Sequence, residues 1–137
     1  MTEKNNRLIL HELDHVALSV SDPAKSAEWY HAVLGLERRH ANVWGDYPIM
    51  MCAGNSGVAL FALRGSAHVK TADANEGLTI RHFAFRTDWK NFTQAKEYLR
   101  RHQIPFQPED HIISQSIYFN DPDGHQIEIT TYDLESR

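Results

Sequence analysis

The sequence predicts an α+β domain built from two β-α-β-β-β modules, their strands forming a curved mixed sheet around a metal-binding cleft. Three observations lead there. At 137 residues the chain is one domain long. A strand that carries a histidine and leads into an Asp-capped helix occurs twice, half a chain length apart, at His15 and His82. And the final hairpin sets a carboxylate, Glu128, mid-strand among apolar neighbours, where it is costly unless paired or bound to a metal.

The hairpin shows its own construction. Ser116 to Phe119 alternates polar and apolar, the period of a half-buried strand. Asp121-Pro122-Asp123-Gly124 is a turn: Pro fixes φ, Asp bonds its own backbone, and Gly tolerates a positive φ. Beyond it, Gln126, Glu128 and Thr130 point one way, Ile127 and Ile129 the other. Tyr118 shares a face with Ser116 and Asn120.

From the N-terminus, residues 1–12 read as a polar lead-in, with Leu8 to Leu10 able to dock on the domain. Residues 13–20 form a strand, with Val16, Leu18 and Val20 on one face and His15, Ala17 and Ser19 on the other. Asp22-Pro23 opens a helix whose stripe includes Ala27, Tyr30 and Leu34, and Gly35 closes it. Three short strands are expected around 37–44, 47–53 and 57–63, ending the first module (13–63). Residues 64–79 read as a connecting loop.

The second module (80–133) repeats the order. Residues 80–86 form a strand with His82 and Ala84 on one face, Phe83 and Phe85 on the other. Asp88 caps a helix with Phe92, Ala95 and Leu99 on its stripe, and Ile104-Pro105 ends it. A short strand near 105–109 precedes the hairpin. Helices on one face of each sheet leave the other face free. Packed together, two such modules would bring His15 and His82 face to face, with Glu128 beside them. Two histidines and a carboxylate are the ligand set of a divalent ion with open positions.

Composition narrows the function classes. A formal net charge of -4 gives no basic field for nucleic acid or an anionic membrane. The N-terminus has no signal-peptide apolar region, and no apolar run is long enough to span a membrane. The single cysteine, Cys52, rules out an internal disulfide, points to a reducing cytoplasmic compartment, and reads as a small buried apolar group. Nine histidines stand out, histidine being the commonest metal ligand. Of these, His31, His40, His68 and His102 read as surface residues, and His125 as structural. Trp44, Tyr47 and Met50 read as substrate-pocket or core residues.

The chain resembles the vicinal oxygen chelate superfamily, which includes glyoxalase I, bleomycin-resistance proteins, fosfomycin-resistance enzymes and extradiol catechol dioxygenases. The resemblance lies in Asp14 to Asp22 with Ser26 to Tyr30 and Leu34 to Leu36, in Arg81 to Phe85, and in Ser116 to Glu128. It spans roughly residues 13–131. It implies paired modules, a homodimer, and a divalent ion chelating two vicinal oxygens of a small-molecule substrate. His15, His82 and Glu128 fall on the ligand positions. Fe(II) or Mn(II) suits them first, and Zn(II) or Ni(II) is also accepted.

The departures are specific. The strand Val58 to Leu63 offers no fourth ligand, unlike glyoxalase-like members. That favours a three-ligand site, as in the extradiol dioxygenases and the fosfomycin-modifying enzymes; the extradiol-dioxygenase-like reading is taken first, with Tyr118 and His111 as catalytic candidates. The alternative is addition of a thiol or water to an epoxide, as in fosfomycin resistance, which matches residues 116–128 closely. Those enzymes usually carry threonine where Ala17 stands. A third reading is a metal-free, bleomycin-resistance-like drug-binding protein.

Overall fold

The computed structural model of the chain describes residues 7–63 and 79–134. The first half runs β1 (His15–Val20), α1 (Pro23–Leu34), β2 (Glu37–Arg39), the one-turn helix α2 (Ala41–Trp44), β3 (Ile49–Ala53) and β4 (Ser56–Ala62). The second runs β5 (Phe83–Arg86), α3 (Trp89–Arg101), β6 (Gln107–Asp110), β7 (Gln115–Asn120) and β8 (Gln126–Thr131). Two four-stranded sheets result, in the orders β1-β4-β3-β2 and β5-β8-β7-β6. The two halves therefore share one topology. In each, the first and last strands pair in parallel and the remaining pairs are antiparallel.

Local chemistry sets the helix ends as the sequence indicates. The Asp22 carboxylate accepts from the Lys25 N–H, and Pro23 opens α1. Gly35 closes that helix at φ 70°, where a side chain would be strained. Asp88 caps α3 by accepting from the Asn91 N–H at 2.8 Å.

Alternation then sorts each strand's side chains. Leu18, Val20, Val58 and Leu60 of the first sheet are buried in one cluster with Ile117, Phe119, Ile127 and Ile129 of the second. Leu36, Ile49 and Met51, with Tyr30 from α1 and Phe92 and Leu99 from α3, complete it. Each such burial is worth roughly 1.5–3 kcal/mol, so this shared core is the main adhesive between the modules. Met50, Cys52 and Ala59 form a separate cluster on the opposite side of the first sheet.

Polar bonds also stitch the modules. The Tyr30 hydroxyl donates to Asp121 Oδ2 at 2.7 Å, and the Ser21 N–H donates to the Asp123 carboxylate. His125 Nε2 lies 2.9 Å from the Ser19 carbonyl, and the Tyr98 hydroxyl donates to the Ala32 carbonyl.

Four local expectations are corrected. Residues 40–44 do not continue β2. His40 takes a left-handed φ of 67°, which ends the strand and starts α2, and the Arg38 guanidinium secures the turn by donating to the Gly45 carbonyl. Residues 80–82 precede β5 instead of opening it, because the parallel ladder with β8 begins at the Phe83–Ile127 pair. The strand expected near 105–109 runs later, at Gln107–Asp110. Leu8, Ile9 and Leu10 do not dock, being 86%, 82% and 83% exposed. The expected loop 64–79 lies outside the described residues except for Thr79.

Candidate metal centre

The second sheet's free face is polar. Strand alternation places Glu128 and Thr130 of β8 there, with Ser116 and Tyr118 of β7 directly opposite in register. His82 joins them from the residue before β5. Its Nε2 lies 2.9 Å from Glu128 Oε1. The other carboxylate oxygen, Oε2, accepts from the Ser116 hydroxyl at 2.6 Å, and Ser116 Oγ lies 2.9 Å from Thr130 Oγ1. Glu128 is only 8% exposed, yet both of its oxygens have partners. An unpaired carboxylate at that depth would cost several kcal/mol.

The donor set fits a divalent ion. Two donors held at ~2.1 Å and roughly a right angle stand ~3 Å apart, the spacing of His82 Nε2 and Glu128 Oε1. Imidazole and carboxylate together suit a borderline or hard first-row ion. No group of three or more His, Cys, Asp or Glu side chains among the described residues can hold a metal within one chain.

His15 explains the shortfall. It starts β1 on the other sheet, exposed, with Nδ1 2.8 Å from Asp14 Oδ2. The carboxylate accepts, so Nδ1 carries the hydrogen and Nε2 keeps its lone pair, the arrangement of a metal-ligating imidazole. The expectation that His15 and His82 face each other across a cleft is therefore not met within one chain. The physical reason is the shared core: the modules associate through their helix-side apolar faces, not through the faces carrying His15 and Glu128. Between β1 and the segment 79–83 lies a cleft of about 430 Å³ that His82 borders and Glu128 does not.

Tyr118 and His111 do come together. The Tyr118 hydroxyl and His111 Nε2 are 3.1 Å apart, and the Tyr118 ring meets His82 edge-on at 5.3 Å between centroids. Burial, then the nearby Glu128 carboxylate, raises the Tyr118 phenol above its usual range. The hairpin turn that carries His111 is closed by its N–H to the Ser114 carbonyl and by the Ile112 N–H to Asp110 Oδ1. Ile112 sits at φ 75°, uncommon for a β-branched residue.

Of the other candidates, Met50 is buried in the small cluster on the first sheet. The Tyr47 hydroxyl accepts from the Ala62 N–H, and its ring meets Phe61 edge-on. Burial pushes the Cys52 thiol up, as for an inert buried cysteine. Ser116 and Thr130 were not singled out from the sequence. The signal was present: small hydroxyl residues at positions that alternation places beside Glu128.

Comparisons with known proteins bear on the family to which the chain belongs. The model of the glyoxalase/bleomycin resistance protein/dioxygenase superfamily matches residues 12–129. The chain is 30% identical to a metallothiol transferase FosB of Staphylococcus epidermidis, over 91% of this chain and 84% of that protein. It is 29% identical to a glutathione transferase FosA of Serratia marcescens, over 94% and 86% respectively. Among solved structures, a glyoxalase/dioxygenase from Nostoc punctiforme superposes with a TM-score of 0.74 at 22% identity, covering 95% of this chain and 99% of that one, which speaks to fold alone. On the family match and these relatives together, the chain belongs to the glyoxalase/bleomycin resistance protein/dioxygenase superfamily, the vicinal oxygen chelate proteins.

Proposed function

We propose that this protein is a divalent-metal-dependent enzyme that adds a thiol to a small electrophile, such as a phosphonate epoxide. The observation that carries the reading is the buried Glu128 carboxylate set against His82 Nε2 at donor spacing. The two similar curated proteins, each named as a thiol transferase, favour this reaction over the ring cleavage suggested by ligand count.

His82 and Glu128 of one copy, with His15 of a second, would hold the ion. His15 is exposed, oriented by Asp14, and belongs to no group of three or more such donors among the described residues. A homodimer that sets the first sheet's free face against the partner's second sheet satisfies all three ligands at once. Once bound, the ion supplies Lewis acidity to the substrate oxygens.

The chain's own groups do the rest. A thiolate forms a new C–S bond at an epoxide carbon, the C–O bond breaks, and its electron pair stays on oxygen. That oxygen takes a proton. Tyr118 is the donor, with His111 holding the phenol in place at 3.1 Å.

The test is thiol consumption. Mn(II)-loaded protein is mixed with glutathione or cysteine and fosfomycin, free thiol is titrated, and the adduct is weighed by mass spectrometry. Adduct formation that is lost in Glu128→Ala supports the reading. No adduct with either thiol overturns it. A second reading, extradiol cleavage of a catechol, draws on the same Tyr118–His111 pair, which also suits removal of a catechol proton. Oxygen uptake by Fe(II)-loaded protein with catechols would select it.

A further inference from the structure

We infer that Ser116 is a positioning residue that makes Glu128 a one-oxygen ligand and so keeps coordination positions open for the substrate. This rests on the reading of Glu128 as a metal ligand. The geometry separates the two carboxylate oxygens. Oε1 faces His82 Nε2, and Oε2 is taken by the Ser116 hydroxyl at 2.6 Å, the short end for a hydrogen bond to a carboxylate.

A serine has one hydroxyl hydrogen, and here two oxygens lie within reach of it: Glu128 Oε2 at 2.6 Å and Thr130 Oγ1 at 2.9 Å. The nearer, charged acceptor takes that hydrogen. The Thr130 hydroxyl has two acceptors in reach for its own hydrogen, Ser116 Oγ at 2.9 Å and the Gln115 carbonyl at 3.3 Å; given to the nearer, it extends a relay from Thr130 to Ser116 to Glu128. Ser116, Thr130 and Glu128 are all buried, so water does not compete for these bonds. Register fixes the relay as well, since Ser116 pairs with Thr130 and the neighbouring Tyr118 pairs with Glu128.

The consequence is a count of positions. A carboxylate that binds through both oxygens occupies two sites on the ion, and one held by a hydrogen bond at one oxygen occupies a single site. A substrate that chelates through two oxygens needs two sites free. Ser116 thus acts on substrate capacity through Glu128 without touching the substrate.

The test uses full-length protein loaded with Mn(II), measuring affinity by titration calorimetry and coordinated water by proton relaxation. Ser116→Ala is expected to weaken Mn(II) binding by ~10–100-fold, the range for loss of a group that orients a ligand, and to lower the number of waters on the ion. Ser116→Thr, which keeps the hydroxyl, is expected to restore both. Should Ser116→Ala fold poorly, Thr130→Val leaves the serine–glutamate bond in place and is expected to shift both readouts in the same direction by less. Wild-type affinity and water count in Ser116→Ala, with Mn(II) binding abolished in Glu128→Ala, would overturn the inference and spare the ligand reading. Unchanged Mn(II) binding in Glu128→Ala would overturn both.

Discussion

Replacing Tyr30 by Phe removes one oxygen from a side chain with no solvent exposure. That oxygen donates at 2.7 Å to Asp121 Oδ2, and Asp121 is itself buried at 5% exposure. Oδ1 is held separately by the Asp123 and His125 N–H groups, both at 2.9 Å. The variant therefore strips one of three hydrogen bonds from a buried carboxylate and leaves Oδ2 unsatisfied. A hydrogen bond to a charged group contributes about 1.5–3 kcal/mol, so a loss of roughly 2 kcal/mol is expected. For a chain of this length that corresponds to a fall in Tm of roughly 6–10 °C. The bond also joins α1 of the first module to the turn between β7 and β8, which sets the register of Glu128. Urea unfolding at one fixed protein concentration, above any dimer dissociation, measures the change without a shift in assembly. A loss below about 0.5 kcal/mol, the range of an inconsequential surface change, would refute the reasoning.

The remaining predictions concern other sites. Burial, then the hydrogen bond to Asp121, raises the Tyr30 phenol far above its ordinary value, so its proton is bound more tightly in the folded than in the unfolded chain. The unfolded state then binds fewer protons above about pH 10, and the Tyr30 contribution to stability, complete below that pH, is lost as pH rises through it. Absorbance at 295 nm should show one of the five tyrosines titrating only as the protein unfolds, and Tyr30→Phe should lose that late step. In Gly57→Ala, the new Cβ would collide with the Met51 carbonyl oxygen and crowd Cys52. Because that contact is backbone, a cost of about 2–3 kcal/mol in urea unfolding is expected. Gly57 pairs with His15, so weaker Mn(II) binding should accompany it. Asp14→Asn keeps an acceptor near His15 Nδ1 but removes its charge, and Mn(II) affinity should fall by ~10-fold or more with stability unchanged.

Much of the fold is legible in the sequence because its signals are local. Asp22-Pro23 and Asp88 are caps whose chemistry acts within one turn, and the alternation around Glu128 fixes which side chains share its face. The repeat is legible for the same reason, since each module carries its own strand, cap and helical stripe. What stays hidden depends on distant partners. Where β5 begins depends on β8, forty residues on. The turn at His40 depends on a left-handed residue that most sequences avoid, held by Arg38 reaching Gly45. The pairing of His82 with Glu128 follows from residues that alternation marks, whereas that of Tyr118 with His111 joins a strand residue to a loop histidine that only the family resemblance points to. The placement of His15 does not follow, because alternation gives a face and not the body that covers it. Both free faces exist in one chain, and the shared helix-side core turns them away from each other. Ser116 is a milder case: its face was legible, but its role needed the 2.6 Å contact.

The central claim is a divalent ion held by His82 and Glu128 of one copy and His15 of another. The measurement that tests it most directly is the metal content of a mixed dimer of His15→Ala and Glu128→Ala chains. Each variant alone should bind no ion tightly. In the mixed dimer, one site regains His15 from one chain and His82 with Glu128 from the other, while the second site loses both changed ligands. One ion per two chains is the predicted result. No ion in the mixed dimer, or undiminished metal in either variant alone, would contradict the account.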